Sequence, residues 1–286
     1  MNVSPAASMR PFRFACALAL VAASAGPARA QLAEGGGRAL GLGRAGVALG
    51  QQSWGHVNPA AWSGLAERRG ALSASQAFGL SELRLVQLAA AAPTPVGTVA
   101  LSARSYGFAE RRETRVVAGL ARGIVLSRSR RLDVGVSGGV ETAQTAGYGS
   151  VTAVLVSVGV QGDVVPGLRA GLAGRNLAGI LWSADEDVRH SLATVPAITA
   201  GIAYSPSAIA TVVLDAEQDL DAGLSVRGGI EVRPVPMLAL RVGAADNPSR
   251  FSAGAGVRTG GLRADIAVER HASLGLTPAV GIELAF

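Results

Sequence analysis

The sequence predicts an all-β protein: an antiparallel transmembrane β-barrel of about 14 strands, with an N-terminal segment plugging its lumen. Three observations carry that prediction. From about Leu72 onward apolar residues recur at every second position, the period of a strand whose side chains alternate between faces. The chain is 49% hydrophobic with a positive mean hydropathy, yet no window after residue 30 holds the roughly eighteen uninterrupted apolar residues of a spanning helix. Compact turns alternate along the chain with longer polar connections, the asymmetry of an outer-membrane barrel. Closing such a sheet satisfies every backbone N–H and C=O in lipid and leaves no edge.

Residues 1–30 read as a secretory signal peptide. Arg10 and Arg13 precede the apolar run "FACALALVAASAG", and Ala28-Arg29-Ala30 forms an A-x-A cleavage site before Gln31. The apolar part is too short to span a bilayer, so the mature chain is expected to begin at Gln31 and to be exported. Cys16, the single cysteine, falls inside this signal with no lipobox leading into it. Disulfides, cysteine-ligated zinc and thiol catalysis are thereby excluded for the mature chain. All 26 basic residues are arginine; three lie in the signal and no acid does, which leaves 23 against 20 acids, a net of +3. Charges of both signs alternate instead of forming a basic stripe, so no nucleic-acid partner is expected.

Residues 31–69 form the second unit. Their "GLGRAG" matches the glycine spacing of a dinucleotide-binding loop, and Glu67 stands at about the right distance for its acidic partner. That fingerprint requires a buried strand before it and a helix after it, because the glycines bring a strand-to-helix turn onto a pyrophosphate. The preceding "AEGGGRAL" is no such strand and no parallel βαβ pattern appears, so no cofactor is expected. Gly41, Gly43 and Gly46 instead let a plug or hatch thread a crowded lumen. Asn58, Pro59 and Ala60 end it with a fixed turn before the first strand.

Residues 70–286 make the barrel. Alternation marks strands at about 71–78, 82–92, 96–108, 114–126, 131–142, 150–162, 167–176, 196–205, 209–218, 224–234, 238–245, 250–259, 262–269 and 276–286. Every second connection is a compact turn, such as "APTPVG", "DVVPG" and "RPVPM"; the others include "AERRET", "TAQTAGYGS", "NLAGILWSADEDVRHSLATV" and "ERHASLG". One face of each strand is apolar and the other mixes small residues with charges. Arg227, Glu231, Arg233, Arg241, Arg258, Arg263, Asp265, Glu269 and Glu283 share the inward register, where they are expected to pair across strands and fill the lumen, with a substrate path as the alternative. The last strand, with Val280, Ile282, Leu284 and the terminal Phe286 on one face, resembles the signal by which Gram-negative barrel-assembly machinery recognises its clients. Aromatic residues, at 4%, are sparse for interfacial girdles, and Trp54, Trp62 and Trp182 fall outside the strands as read here.

The opening "GGGRALGLGRAGVALG" followed by "HVNPAAWSGL", and later "GRNLAG", "LDAEQDL", "VRGGIEVRP", "LALRVGAAD" and the run "FSAGAGVRTGGLRADIAVERHASLGLTPAVGIEL", resemble the PorV/PorQ branch of the FadL superfamily over most of the mature chain. That resemblance implies a fourteen-stranded outer-membrane barrel whose N-terminal segment enters the lumen. The chain is short for the branch, which implies trimmed extracellular loops, and Pro278 stands where the branch tends to have histidine.

The remaining chemistry is sparse. His56 and His271 lack acidic neighbours at ligand spacing and read as solvated loop residues; Asp185-Glu186-Asp187, near Arg189 and His190 in the longest loop, lacks the spaced oxygens and glycine of a calcium loop and reads as a solvated acidic tip. No metal is expected. No G-x-S-x-G elbow is present, and no enzymatic activity is expected. The expected function is a non-enzymatic accessory or cargo-shuttling component of type IX secretion, with type IX components or exported cargo as partners beside membrane lipid. The alternative is a FadL-like channel for hydrophobic small molecules.

Overall fold

The computed structural model describes residues 32, 34–127, 130–183, 195–220 and 222–286. The cleavage residues Ala28, Ala30 and Gln31, the acidic cluster Asp185–Asp187 and His190 lie outside them. Fourteen strands follow one another: β1 (Arg69–Gln76), β2 (Arg84–Thr94), β3 (Gly97–Gly107), β4 (Arg111–Ser127), β5 (Arg130–Thr145), β6 (Gly149–Val165), β7 (Leu168–Ser183), β8 (Ala197–Tyr204), β9 (Ala210–Asp219), β10 (Gly223–Val235), β11 (Leu238–Ala245), β12 (Arg250–Thr259), β13 (Leu262–His271) and β14 (Gly275–Ala285). Each pairs antiparallel with its neighbours in sequence, and β1 closes on β14 with Leu72 opposite Ile282, so the sheet is a closed barrel.

Two expectations are corrected. The seventh strand runs to Ser183 rather than residue 176, which also puts Trp182 in a strand. The alternation breaks there because Asn176 takes a left-handed φ of 55° and the β6/β7 register shifts between Val156 and Val158, a bulge that reads as a strand end. "AERRET" and "TAQTAGYGS" are mostly strand, not loop: β4 and β5 pair from Arg111 opposite Thr145, and Thr142 Oγ1 lies 3.0 Å from Thr152 Oγ1. Polar side chains on both faces hide a strand from a hydrophobic pattern.

The alternation sorts the wall as a membrane requires. Leu88, Leu101, Ile202, Leu240, Ile266 and Val280 are exposed on the outside, whereas Asp133, Glu141, Asp215, Glu217, Glu231 and Glu269 are buried within. A continuous apolar exterior on a closed sheet is stable in lipid and not in water. The interior is built around residues 34–68. Their short helix α1 (Gly36–Gly41) packs on β1 and β11–β14, and the 3-10 turn Pro59–Trp62 packs on β3–β6. Leu42, Ala45, Ala48 and Leu49 cluster with Ala203 and Val213 of the wall, and Trp62 and Leu65 with Ala91, Ala100 and Ala121. The apolar core thus lies between the segment and the inner wall.

Candidate functional site: the barrel lumen

The lumen is assembled from small residues where backbones meet and from charges where they do not. Gly43 has φ +66°, and a Cβ there would stand 2.7 Å from Gly228 O. The wall answers with its own glycines: a Cβ on Gly229 would stand 2.5 Å from Leu42 O, and one on Gly243 only 2.1 Å from Gly43 N. A Cβ on Gly41 would stand 3.3 Å from Arg241 Cβ and 3.4 Å from Gly254 Cα, and one on Gly46 would stand 3.1 Å from Leu49 Cδ1, so these positions are also tight. Gly41 and Gly43 of "GLGRAG" therefore serve contact with the wall, and Gly46 makes room for Leu49 of the segment itself; α1 ends at Gly41 and no α-helix follows these glycines as a nucleotide loop demands.

Backbone donors of this stretch end on wall side chains. Asp215 Oδ2 accepts from Gly46 N at 2.6 Å and from Val47 N at 2.9 Å, and Ser252 Oγ accepts from Gly43 N at 3.1 Å. Asn58 caps the 3-10 turn by accepting from Ala60 N at 2.9 Å, while its Nδ2 donates to Val47 O at 2.7 Å; Pro59 occupies the first turn position, where no N–H is needed. Gln161 Nε2 donates to Ala60 O at 3.3 Å.

The charges form linked pairs. Arg44 holds Glu269 in a bidentate fork, Nη2 to Oε1 at 2.5 Å and Nε to Oε2 at 3.0 Å. Glu231 Oε2 accepts from Arg38 at 3.0 Å and from Arg241 at 2.6 Å; its Oε1 accepts from Arg233 at 2.5 Å, and Arg241 continues to Asp265 at 2.6 Å. Glu217 bridges Arg175 at 2.5 Å and Arg227, and Glu34 pairs with Arg104, which also holds Glu141. Glu283 takes Arg69 at 3.3 Å, Arg263 at 3.6 Å and the Ser53 hydroxyl at 2.6 Å. Of the nine inward charges read from the sequence, eight lie in these pairs; Arg258 lies at the lumen mouth. The terminal residues Val280, Ile282, Leu284 and Phe286 point outward, and Phe286 N donates to Arg68 O at 3.0 Å.

His56 is not a solvated loop residue. It sits inside the barrel, where burial pushes its pKa down to about 4 although neighbouring Glu34 opposes this. Burial would raise the Glu34 carboxyl, but Arg104 and Arg115 outweigh it and hold its pKa at about 2. Nor is His271 solvated: its Nδ1 accepts from Ser273 N at 3.1 Å and Leu274 N at 3.2 Å, and its ring meets Phe78 edge-on at 5.6 Å. Around His56 are two small cavities of about 70 and 130 Å³, both lined by Glu34, Arg104, Arg115 and Arg175. Sequence reading missed Glu34, Arg38, Arg44, Asp215 and Glu217 as parts of this interior. For Asp215 and Glu217 the signal was present, since both share the inward register of β9.

An apolar exterior, a closed antiparallel wall and a charged interior define an outer-membrane β-barrel. Solved structures to which the chain is similar include a hydrocarbon channel, a toluene transporter and a FadL homologue. The chain aligns with the CymD monoaromatic hydrocarbon channel at 11% identity over 88% of this chain and 97% of that one, TM-score 0.63. It aligns with the P. putida toluene transporter TodX at 10% identity over 88% and 98%, TM-score 0.59, and with a Pseudomonas aeruginosa FadL homologue at 10% over 88% and 98%, TM-score 0.56. At such identities what is shared is the fold. No family model matches the chain, and no curated protein matches it.

Proposed function

We propose that this protein is a non-enzymatic outer-membrane channel for hydrophobic small molecules, with residues 31–69 as a plug that shifts to let them pass. The observation that carries this reading is the filled lumen within a wall of the fold of TodX and CymD, a toluene transporter and a monoaromatic hydrocarbon channel. A filled lumen suits no open aqueous pore. The segment is held by separate hydrogen bonds and ion pairs, each reversible, so it can move without unfolding the wall. Its movement exposes Leu40, Leu42, Val47, Leu49 and Trp62, an apolar surface along the path. In this reading Ala28 to Gln31 mark export cleavage, and Val280, Ile282, Leu284 and Phe286 present the last strand to barrel-assembly machinery.

The PorV/PorQ resemblance would instead make the chain a type IX secretion component. That reading rests on sequence motifs, and the space a cargo peptide would enter is taken by the chain's own segment. Co-purification from detergent-solubilised outer membranes, with mass spectrometry of proteins and small molecules, separates the two. Bound apolar molecules without protein partners are expected; recovery of type IX components or exported cargo overturns the channel reading.

A further inference from the structure

A further part of the lumen lies at the end of the short turns, away from His56. A cavity of about 430 Å³ lies there, lined by Arg38, Arg233, Arg241, Arg258 and Arg263 with Glu231 as the one carboxylate among the described lining residues. Four of the arginines come from successive strands, β10 to β13, and Arg38 comes from the segment. This convergence is a consequence of register, since each stands on the inward face near a short turn.

The acids of this region are already committed. Glu231 receives Arg38, Arg233 and Arg241, and Asp265 receives the other arm of Arg241. Glu283 is shared between Arg69 and Arg263, the latter at 3.6 Å. Arg258 has no side-chain hydrogen bond or ion pair among the described residues, and it stands directly opposite Arg263 in the β12/β13 register. Like charges facing each other across a strand pair are destabilising. An anion between them would remove that cost, because the guanidinium fork matches carboxylate and phosphate oxygens in two-point contact.

We propose that this vestibule is a binding site for a small oxyanion, a phosphate or carboxylate group, held by Arg258 and Arg263 with Arg233 beside them. Ile209, Pro236 and Met237 line the same cavity and give the anion's organic part an apolar rim. The volume falls within the roughly 300–1,000 Å³ of small-molecule sites. The site does not depend on what the channel carries; an anion there would stand at the mouth opposite the loops, where a molecule leaves the lumen or enters from below.

The test is calorimetric titration of the detergent-solubilised full chain with phenyl phosphate, benzoate and inorganic phosphate, at constant ionic strength. Saturable binding of phenyl phosphate or benzoate is expected, and whichever binds tighter names the head group. Arg258→Gln and Arg263→Gln are expected to weaken it at least about tenfold, R258K by less, and the outward-facing Arg112→Gln not at all. Without ligand, R258Q should unfold at a higher temperature than the wild type, since it removes a like-charge contact; saturating ligand should reverse that order. Heat-modifiable gel mobility shows that each variant is folded. Absence of saturable binding, or binding that R258Q and R263Q leave intact, overturns the proposal. Inorganic phosphate binding as tightly as phenyl phosphate overturns the apolar part of the site.

Discussion

Gly243→Ala is the sharpest perturbation of the contact between segment and wall. A Cβ at this position of β11 would stand 2.1 Å from Gly43 N, 2.5 Å from Leu42 C and 2.7 Å from Gly43 Cα. All three are backbone atoms, so no rotamer change relieves the clash. Ordinary contact starts near 3.4 Å, so the backbone at Gly43 must retreat by about 1.3 Å, the difference of those two distances. Ser252 is the cross-strand partner of Gly243, and the same retreat draws Gly43 N away from Ser252 Oγ. Overpacking costs about 1–3 kcal/mol and the lost hydrogen bond about 1 kcal/mol. Weakening the seat by about 2 kcal/mol raises the released population about thirtyfold. The wall's own ladder is untouched. The assay is trypsin cleavage at Arg38 and Arg44 in outer-membrane vesicles, read beside single-channel conductance. G243A should be cleaved faster and conduct more, whereas Gly70→Ala, whose Cβ would meet nothing within 4 Å, should match the wild type. If G243A and G70A behave alike, the segment does not sit on the wall as described.

Other perturbations follow from the same contacts. Arg44→Gln breaks a buried bidentate pair and leaves Glu269 only the nearby charge of Arg250, so it should cost up to about 3–5 kcal/mol of anchorage; E269Q combined with it should recover part, measured by the same protease protection. Asp215→Ala leaves the N–H groups of Gly46 and Val47 without their acceptor and should release the segment by about 1–3 kcal/mol for each, with D215N intermediate. His56, held at a pKa of about 4, stays neutral in place while the released segment titrates near 6.5; its contribution is full above pH 6.5 and lost as pH falls towards 4. Glu34, held at about 2, contributes above its ordinary 4.5 and loses that between pH 4.5 and 2. Protease release against pH should show both limbs, with His56→Gln removing the first and Glu34→Gln the second; a flat wild-type profile contradicts this. Ile266→Arg, on the outer face, should destabilise the barrel in lipid by about 2–4 kcal/mol near the bilayer midplane, read as a lowered unfolding midpoint in vesicles.

The wall was legible in the sequence because one physical rule governs it. A strand between lipid and a polar lumen must alternate, and segments such as Leu262–His271 do so without interruption. The rule weakens where lipid no longer enforces it, so the polar pairing of β4 with β5 beyond the apolar zone has the pattern of a loop. It fails at Asn176, where a bulge shifts the register within a strand. The inward charges were readable by face, but not their partners. Arg44 meets Glu269 across 225 positions and Val47 meets Asp215 across 168, and only closure of the barrel sets those distances. His56 shows the same limit: a lone histidine in a glycine-rich stretch looks solvated until fourteen strands surround it.

In the proposed function, hydrophobic small molecules pass through this lumen when the segment shifts. Uptake of radiolabelled toluene, beside a hydrophilic sugar of similar size, in Gram-negative cells with an intact lipopolysaccharide layer tests it directly. The wild-type chain is expected to accelerate toluene entry and to leave sugar entry at the level of cells without it, while G243A admits both. Toluene entry no faster than in cells lacking the protein would contradict it.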